Sequence, residues 1–253
     1  MDFARRIDEA LVKHPGAALN PPRREMIDGA VARREAIVSD GGALATWTPP
    51  ESTGRSPKDT VIVKRDESAD TIDWDSPNNI PLDPETFDMA MEDALALISE
   101  KKKIYVTDRS VGADPAYSLP VRTVSDRALT ALFTDNMFRP IPAGIENSIF
   151  AEAPFTLVVF PYDKLDRSRY EGRLRKLENG ETSNMIVAMD FDRKLGVIIG
   201  SAYGGSVKKL MFTVMNYLLP GEGILPLHCS ANEGEDGDSA LLLGLSGTGK
   251  TTL

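Results

Sequence analysis

The strongest structural signal in the sequence is a glycine-rich segment, GLSGTGKT, at residues 244–251, directly after an apolar run at residues 239–243. It matches the G-x-x-x-x-G-K-[ST] pattern at every fixed position, and a preceding strand is the context that this pattern requires. Glycines let the backbone turn so that its N–H groups point at phosphate oxygens. Lys250 would then reach the outer phosphates, and Thr251 would hold a magnesium ion. The alternative is a chance glycine-rich turn, which the agreement at every fixed position disfavours.

The rest of the sequence predicts a mixed α/β fold, because apolar runs of strand length alternate with segments of helical periodicity. Predicted helices lie at residues 2–13, 24–38, 124–136 and 207–219, with one more marked by Phe87, Met91, Leu95 and Ile98. Predicted strands lie at residues 43–48, 60–64, 103–107, 155–160, 184–191, 195–201 and 239–243. Residues 14–22 and 53–59 are predicted loops, and residues 66–84 a predicted exposed excursion. A predicted turn at residues 220–223 is the candidate domain boundary. We expect residues 1–222 to form an N-terminal domain that contains a mixed sheet. Residues 223–253 would then be the opening strands of a P-loop nucleotide-binding domain.

Composition narrows the function. With 29 basic and 38 acidic residues, the net charge of −9 argues against a general nucleic-acid binder. The single cysteine, Cys229, excludes an internal disulfide and every multi-cysteine zinc site. The N-terminus does not resemble a signal peptide, and no apolar run is long enough to span a membrane. We therefore expect a cytoplasmic enzyme or binding protein without a nucleic-acid or membrane partner.

A second signal is the segment YGGSVKK at residues 203–209, where Ser206 is predicted to cap a helix. Lys208 and Lys209 would lie in the first turn, where each opposes the helix dipole at a cost of roughly 0.3–1 kcal/mol. An arrangement that costs stability indicates a nearby anion such as a phosphate. The alternative is that both lysine side chains simply extend into solvent.

A third signal is LHCSAN at residues 227–232, which follows a short apolar run. His228 could be a metal ligand at the end of a strand. A lone histidine is more often structural, and Cys229 is expected to be a small buried residue.

A fourth signal is GRSPKD at residues 54–59. Arg55 follows a glycine and precedes a proline-stiffened turn, so it could bind a carboxylate through two parallel hydrogen bonds. An ordinary turn is the alternative, and this segment alone would favour it.

Taken together and in this order, the segments resemble the ATP-dependent phosphoenolpyruvate carboxykinase family. LHCSAN followed closely by the glycine-rich loop is the most specific part of the resemblance, which runs from about residue 20 to residue 253. The tryptophan-bearing acidic segment around Trp74 and FTDNMFRP at residues 133–140 fit it as well. The other segments are TGRSPKD (53–59), VGADP with YSLPVR (111–122), YGGSVKKLMF (203–212), NYLLP (216–220) and GLSGTGKTTL (244–253).

The resemblance implies a gluconeogenic reaction in which oxaloacetate and ATP give phosphoenolpyruvate, ADP and carbon dioxide. Substrate would contact Arg55, Tyr203 and Lys209, and the catalytic lysines would be Lys208, Lys209 and Lys250. Lys209 and His228 would ligate Mn²⁺, and Thr251 would hold the Mg²⁺ that accompanies ATP. ATP would contact Lys209, His228, Gly244, Leu245, Ser246, Gly247, Thr248, Gly249, Lys250, Thr251 and Thr252.

This assignment is chemically consistent, because a divalent ion stabilises a developing enolate and phosphoryl transfer needs mainly positioning and charge neutralisation. A lysine that ligates a metal must be neutral, and both the ion and the neighbouring Lys208 would favour loss of the proton from Lys209.

The sequence departs from the family in two respects. Ser206 stands where family members usually carry an acidic residue. Family enzymes also continue about as far again beyond the glycine-rich loop, with paired aspartates, an arginine and the adenine pocket. The expectation is therefore a fragment that is poorly stable and inactive alone, from an enzyme that is monomeric at full length.

Two other interpretations stay open at this point. The chain could be a non-catalytic, truncated relative that binds a dicarboxylate, or a different P-loop kinase. Release of carbon dioxide coupled to ATP use separates the carboxykinase from another kinase.

Overall fold

The computed structural model describes residues 2–244 and Thr248, and the chain divides into two compact units, Met1–Phe212 and Thr213–Leu253. The helices are α1 (Phe3–Lys13), α2 (Arg23–Ala32), α3 (Asp66–Ala69), α4 (Pro84–Glu100), α5 (Ala128–Met137) and α6 (Gly205–Gly221). The strands in the first half are β1 (Ala17–Leu19), β2 (Ala36–Val38), β3 (Leu44–Thr46), β4 (Thr60–Val63), β5 (Pro81–Leu82), β6 (Ile104–Val111) and β7 (Leu119–Ser125). Those in the second half are β8 (Phe155–Phe160), β9 (Ile186–Asp190), β10 (Leu195–Ile199), β11 (Cys229–Glu233) and β12 (Ser239–Leu243).

The first unit is built on one mixed sheet of eight strands in the order β1-β6-β7-β8-β10-β9-β4-β5. The pairs β6/β7 and β9/β10 are antiparallel, and the other five neighbouring pairs are parallel. β2 and β3 form a separate antiparallel hairpin. The predicted mixed α/β class is confirmed.

Helices cover both faces of this sheet. In β6, Ile104 and Val106 belong to the core under α1 and α4, whereas Tyr105 packs with α2 and α5 on the opposite face. This alternation follows from the two-residue period of a strand. Strand β8 is buried at every position, which is why its sequence is a continuous apolar run.

Helix α4 forms where the sequence predicts a helix. Asp83 caps it by accepting a hydrogen bond from the Thr86 N–H at 2.8 Å, and Pro84 takes the first helical position. The four apolar residues that predicted this helix, Phe87, Met91, Leu95 and Ile98, are all buried.

The predicted helix at residues 24–38 is too long. Helix α2 ends at Ala32, Arg34 adopts a left-handed backbone conformation (φ 58°), and strand β2 follows. A left-handed turn is usually marked by glycine or asparagine, and an arginine gives no such signal.

The predicted helix at residues 124–136 begins too early. Val124 and Ser125 end strand β7, which the sequence analysis missed, and α5 starts at Ala128. The predicted loop at residues 14–22 contains β1. The predicted excursion at residues 66–84 contains α3 and the edge strand β5.

The second unit contains the antiparallel pair β11/β12. Strand β12 has the predicted bounds, and among the described residues it pairs with β11 alone, with most of its side chains exposed. The division at Phe212 falls inside α6, so a domain boundary at residue 223 stays a prediction. No helix in the described part of the chain is long and apolar enough to cross a membrane.

Candidate functional site

A cavity of about 880 Å³ lies in the first unit, at the carboxyl ends of β8 and β10. These strands are parallel neighbours with Phe160 paired to Ile199, so the loops that follow them leave the same edge of the sheet. Ligands of open α/β sheets bind at such edges. The residues that line the cavity include Trp47, Thr53, Phe133, Val159, Tyr162, Ala202, Tyr203 and Lys208.

The loop after β10 brings Tyr203 into the cavity. Gly200 turns the chain with a left-handed backbone (φ 86°), and an added Cβ there would lie 3.2 Å from the carbonyl oxygen of Asn184. Only glycine therefore fits without strain. Tyr203, a predicted substrate residue, is 37% exposed and lines the cavity.

Two glycines begin the helix behind this loop. A Cβ on Gly204 would lie 3.0 Å from the ring of Phe133, and a Cβ on Gly205 would overlap the ring of Tyr203. The absence of a side chain at both positions lets these aromatic rings approach the backbone closely. One of these rings belongs to Phe133, the first residue of the FTDNMFRP segment.

The two predicted lysines stand on the first turns of α6. Lys208 is exposed and lines the cavity, and within the described residues its ammonium group has no ion-pair partner. Lys209 is half-buried, with its Nζ 4.4 Å from the centroid of the Phe212 ring. A cation over a ring face is a favourable contact.

The prediction that Ser206 caps the helix is wrong. The helix begins at Gly205, and the buried hydroxyl of Ser206 lies 2.8 Å from that of Ser201. The Ser206 side chain therefore makes a buried contact with Ser201 rather than capping the end of the helix.

Arg55 is exposed on the loop between two single-turn 3₁₀ helices, Pro50–Ser52 and Pro57–Asp59. In the described part of the chain its guanidinium forms no ion pair, so it is free to bind a ligand. Its neighbour Thr53 lines the cavity, although Arg55 itself is not among the lining residues.

Both ends of the Arg55 loop are anchored by buried groups. Ser52 accepts a hydrogen bond from the Ala202 N–H at 3.2 Å. Asp59 accepts two from Arg175, each at 2.8 Å, and one from the Ser183 hydroxyl at 2.7 Å. Sequence analysis missed these anchors, because each partner lies more than 100 residues away in the chain.

The cavity lining also includes two charged residues that the sequence did not predict, Glu35 and Arg127. The Glu35 carboxylate accepts a hydrogen bond from the Leu129 N–H at 2.9 Å and pairs with Arg33 at 2.8 Å. Burial raises the pKa of Glu35, against the lowering effects of the Leu129 N–H and of Arg33. The Arg127 guanidinium lies 4.6 Å from the centroid of the Tyr162 ring, and burial raises the pKa of that tyrosine.

The other predicted residues belong to the second unit. His228 is exposed and immediately precedes β11, and Cys229 is half-buried rather than buried. Gly244 follows β12, as predicted, and a Cβ on it would lie 2.5 Å from the Thr248 hydroxyl oxygen. The first and fifth residues of the glycine-rich segment therefore approach closely, which requires glycine at the first. The remaining predicted ATP contacts lie outside the described residues: Leu245, Ser246, Gly247, Gly249, Lys250, Thr251 and Thr252.

Residues 2–244 and Thr248 contain no group of three or more histidine, cysteine, aspartate or glutamate side chains that could hold a metal ion. The predicted Mn²⁺ ligands, Lys209 and His228, lie in different compact units. Their role as a pair stays a prediction.

Comparison with known proteins gives a consistent result. Residues 16–253 match the family model described as phosphoenolpyruvate carboxykinase. The phosphoenolpyruvate carboxykinase (ATP) of Geobacillus kaustophilus is 40% identical over 230 residues, covering 90% of this chain and 41% of that protein. Phosphoenolpyruvate carboxykinase (ATP) 1 of Salinibacter ruber is 42% identical over 234 residues, 92% of this chain and 41% of the relative. The chain therefore spans about two fifths of the length of these relatives.

Proposed function

Since the chain belongs to the phosphoenolpyruvate carboxykinase family, we propose that it forms the oxaloacetate-binding part of an ATP-dependent phosphoenolpyruvate carboxykinase. The observation that carries the proposal is the cavity at the carboxyl ends of β8 and β10. It brings Tyr203 and the unpaired Lys208 together with Thr53, next to Arg55. This arrangement offers a cationic wall and a phenol hydroxyl to a small dianion.

The reaction begins with loss of carbon dioxide from oxaloacetate. The electron pair of the broken carbon–carbon bond forms an enolate, whose oxygen attacks the γ-phosphorus of ATP, and the bond between that phosphorus and ADP breaks. Arg55 would bind a carboxylate of the substrate through two parallel hydrogen bonds. Tyr203 would orient the substrate, and Lys208 would place positive charge beside the developing enolate.

We assign the nucleotide to the glycine-rich segment at residues 244–252, with Lys250 on the outer phosphates and Thr251 on Mg²⁺. The position of Gly244 supports this assignment, because a Cβ there would lie 2.5 Å from the Thr248 hydroxyl oxygen and the pattern places glycine at this residue.

Lys209 and His228 would bind Mn²⁺. An amine and an imidazole are suitable nitrogen donors, and oxygen ligands from other groups would complete the coordination. Bound there, the ion would supply Lewis-acid stabilisation of negative charge. Lys209 would have to give up its proton and leave the face of the Phe212 ring to ligate it.

The curated relatives are more than twice as long as the matched region. We assign the rest of the metal and nucleotide site to that additional length. A polypeptide limited to these 253 residues is accordingly expected to be inactive. The protein itself would act as a cytoplasmic monomer in gluconeogenesis, as the resemblance implies.

The test is ATP-dependent release of carbon dioxide from oxaloacetate by the natively expressed protein. Arg55→Lys keeps the charge but loses the planar pair of donors, so kcat/KM should fall by about 30- to 100-fold. Arg24→Lys is the matched control, because Arg24 is 83% exposed and, among residues 2–244 and Thr248, pairs only with its helical neighbour Asp28.

Phosphorylation without release of carbon dioxide would instead identify a different kinase. Unchanged turnover in Arg55→Lys would show that Arg55 does not bind the substrate. Binding of a dicarboxylate without turnover, by the natively expressed protein, would favour a non-catalytic relative.

A further inference from the structure

We propose that Ser52 is a positioning residue, which ties the loop that carries Arg55 to the loop that carries Tyr203. The inference rests on the proposed function, because it assumes that both side chains contact the same substrate. Ser52 lies just before TGRSPKD, and neither its residue type nor its neighbours in the sequence indicate such a role.

The tie is a hydrogen bond between two segments 150 residues apart in the chain. Ser52 is 1% exposed, and its hydroxyl oxygen accepts from the Ala202 N–H at 3.2 Å. The same hydroxyl points its proton towards the Gly200 carbonyl oxygen, 3.5 Å away. One side chain therefore contacts both sides of the turn that leads from β10 to Tyr203.

A lysine reinforces the same turn. The Lys164 ammonium group donates to the Gly200 carbonyl at 3.3 Å and lies 3.5 Å from the Glu51 carboxylate. The left-handed conformation of Gly200 holds its carbonyl in this orientation. The segment at residues 51–52 is thus attached to the Tyr203 loop at two backbone groups, the Ala202 N–H and the Gly200 carbonyl.

The middle of the Arg55 loop has no comparable support. An added Cβ on Gly54 would meet no atom within 4 Å, and Arg55 is exposed. The far end is held separately by the hydrogen bonds from Arg175 to the buried Asp59 carboxylate. Of the two anchors, the one at Ser52 is the one that joins the Arg55 loop directly to the Tyr203 loop.

The consequence concerns binding geometry more than chemistry. Two groups that bind one small ligand from separate loops lose affinity when their spacing is not fixed in advance. Ser52→Ala should leave the fold and every group that touches the substrate in place. It removes the hydrogen bond that fixes the distance between the Arg55 loop and the Tyr203 loop.

The experiment compares Ser52→Ala, Ser52→Thr and Ser68→Ala in the natively expressed protein. Ser68 is the matched control: it is also 1% exposed, and its hydroxyl has no hydrogen-bond partner among the described residues. We expect Ser52→Ala to raise KM for oxaloacetate about tenfold with kcat changed less than about twofold. Ser52→Thr keeps the hydroxyl and should restore most of the affinity, and Ser68→Ala should leave KM unchanged.

Hydrogen exchange supplies a readout that needs no substrate. The Ala202 amide should exchange faster in Ser52→Ala than in Ser68→Ala, because its acceptor is lost. Equal KM in the two alanine variants, or unchanged exchange at Ala202, would overturn the role of Ser52. Absence of ATP-dependent turnover in the unmodified protein would instead overturn the proposed function, and with it the role of Ser52 in substrate binding. The exchange rate of the Ala202 amide would still test whether the Ser52 hydrogen bond forms.

Discussion

At the scale of single residues, the carboxyl group of Glu35 makes the cavity wall sensitive to pH. Burial is the largest influence and raises its pKa above the ordinary value of 4.5, and the nearby Asp126 carboxylate acts in the same direction. The folded protein therefore keeps the proton to a higher pH than the unfolded chain does. Ionisation of Glu35 costs folding free energy, so this contribution to stability falls as pH rises through the raised pKa.

Glu35→Gln removes this titration while its amide oxygen can still accept from the Leu129 N–H. The free energy of unfolding of the variant relative to the unmodified protein should increase as pH rises above about 4.5. Urea unfolding at several pH values between 4 and 8 measures the difference. Glu9→Gln, at an exposed carboxylate paired with Arg5, is the control for removing a surface carboxylate. A difference for Glu35→Gln that is flat or declines with pH would contradict the expectation.

A second residue-scale prediction concerns Gly205. A methyl group there would overlap the Tyr203 ring, which is the end of a flexible, partly exposed side chain and can swing away. Gly205→Ala should therefore raise KM for oxaloacetate by about tenfold, since Tyr203 is displaced. Stability should hardly fall, because alanine gains up to about 1 kcal/mol over glycine in a helix.

Gly221→Ala is the matched control at the other end of α6, because a Cβ there would meet no atom within 4 Å. Steady-state kinetics and thermal unfolding of both variants make the comparison. Equal KM values would show that the position of the Tyr203 ring does not matter for binding.

Sequence reasoning finds some of these residues and misses others for a physical reason. Tyr203 and Lys208 lie in one short segment whose charge opposes the helix dipole, so their unusual placement is visible in the sequence. Ser52 and Glu35 accept hydrogen bonds from backbone N–H groups of segments far away in the chain, at Ala202 in a loop and at Leu129 in α5. A local sequence pattern cannot indicate a hydrogen-bond partner that is brought close only by the tertiary fold.

At the scale of elements, the ion pair between the buried Asp59 and the exposed Arg175 joins the start of β4 to the segment before β9. The Asp59 side chain is 3% exposed, so removing Arg175 leaves a buried carboxylate without its strongest partner. A double-mutant cycle with Asp59→Asn and Arg175→Met should give a coupling energy of about 2 kcal/mol in urea unfolding.

The exposed pair of Arg24 and Asp28 on α2 provides the matched cycle. Its side chains are 83% and 58% exposed, and such helical pairs contribute about 0.3–0.5 kcal/mol. A coupling between Asp59 and Arg175 no larger than this would mean that the pair does not anchor the loop.

Elements with a regular pattern are predictable, and elements set by tertiary contacts are not. Strands β8 and β10 are buried on both faces, so their apolar runs indicate them directly. The end of α2 is set by the left-handed backbone of Arg34, which the sequence does not mark. Strand β7 mixes apolar and polar residues, and its conformation is set by pairing with β6 and β8 on either side of it in the sheet. The two wrong helix predictions fall at these places.

At the scale of the whole molecule, the two compact units raise the question of where the first can end. The division lies after Phe212, inside α6, whereas the sequence predicts a domain boundary after residue 222. Beyond residue 212 the helix continues with Val214 and Met215, which are 1% and 6% exposed. A polypeptide of residues 1–222 keeps the helix and both buried side chains, and one of residues 1–212 loses them.

The longer polypeptide should be the more stable, because a chain that ends at residue 212 keeps only the first eight of the 17 residues of α6, and helices that short are marginal in water. Both tryptophans, Trp47 and Trp74, lie within the shorter polypeptide, so their fluorescence during urea unfolding reports the same sheet in each. Equal stability of the two polypeptides would place the end of the first folding unit at Phe212, and the last turns of α6 would then contribute nothing to it.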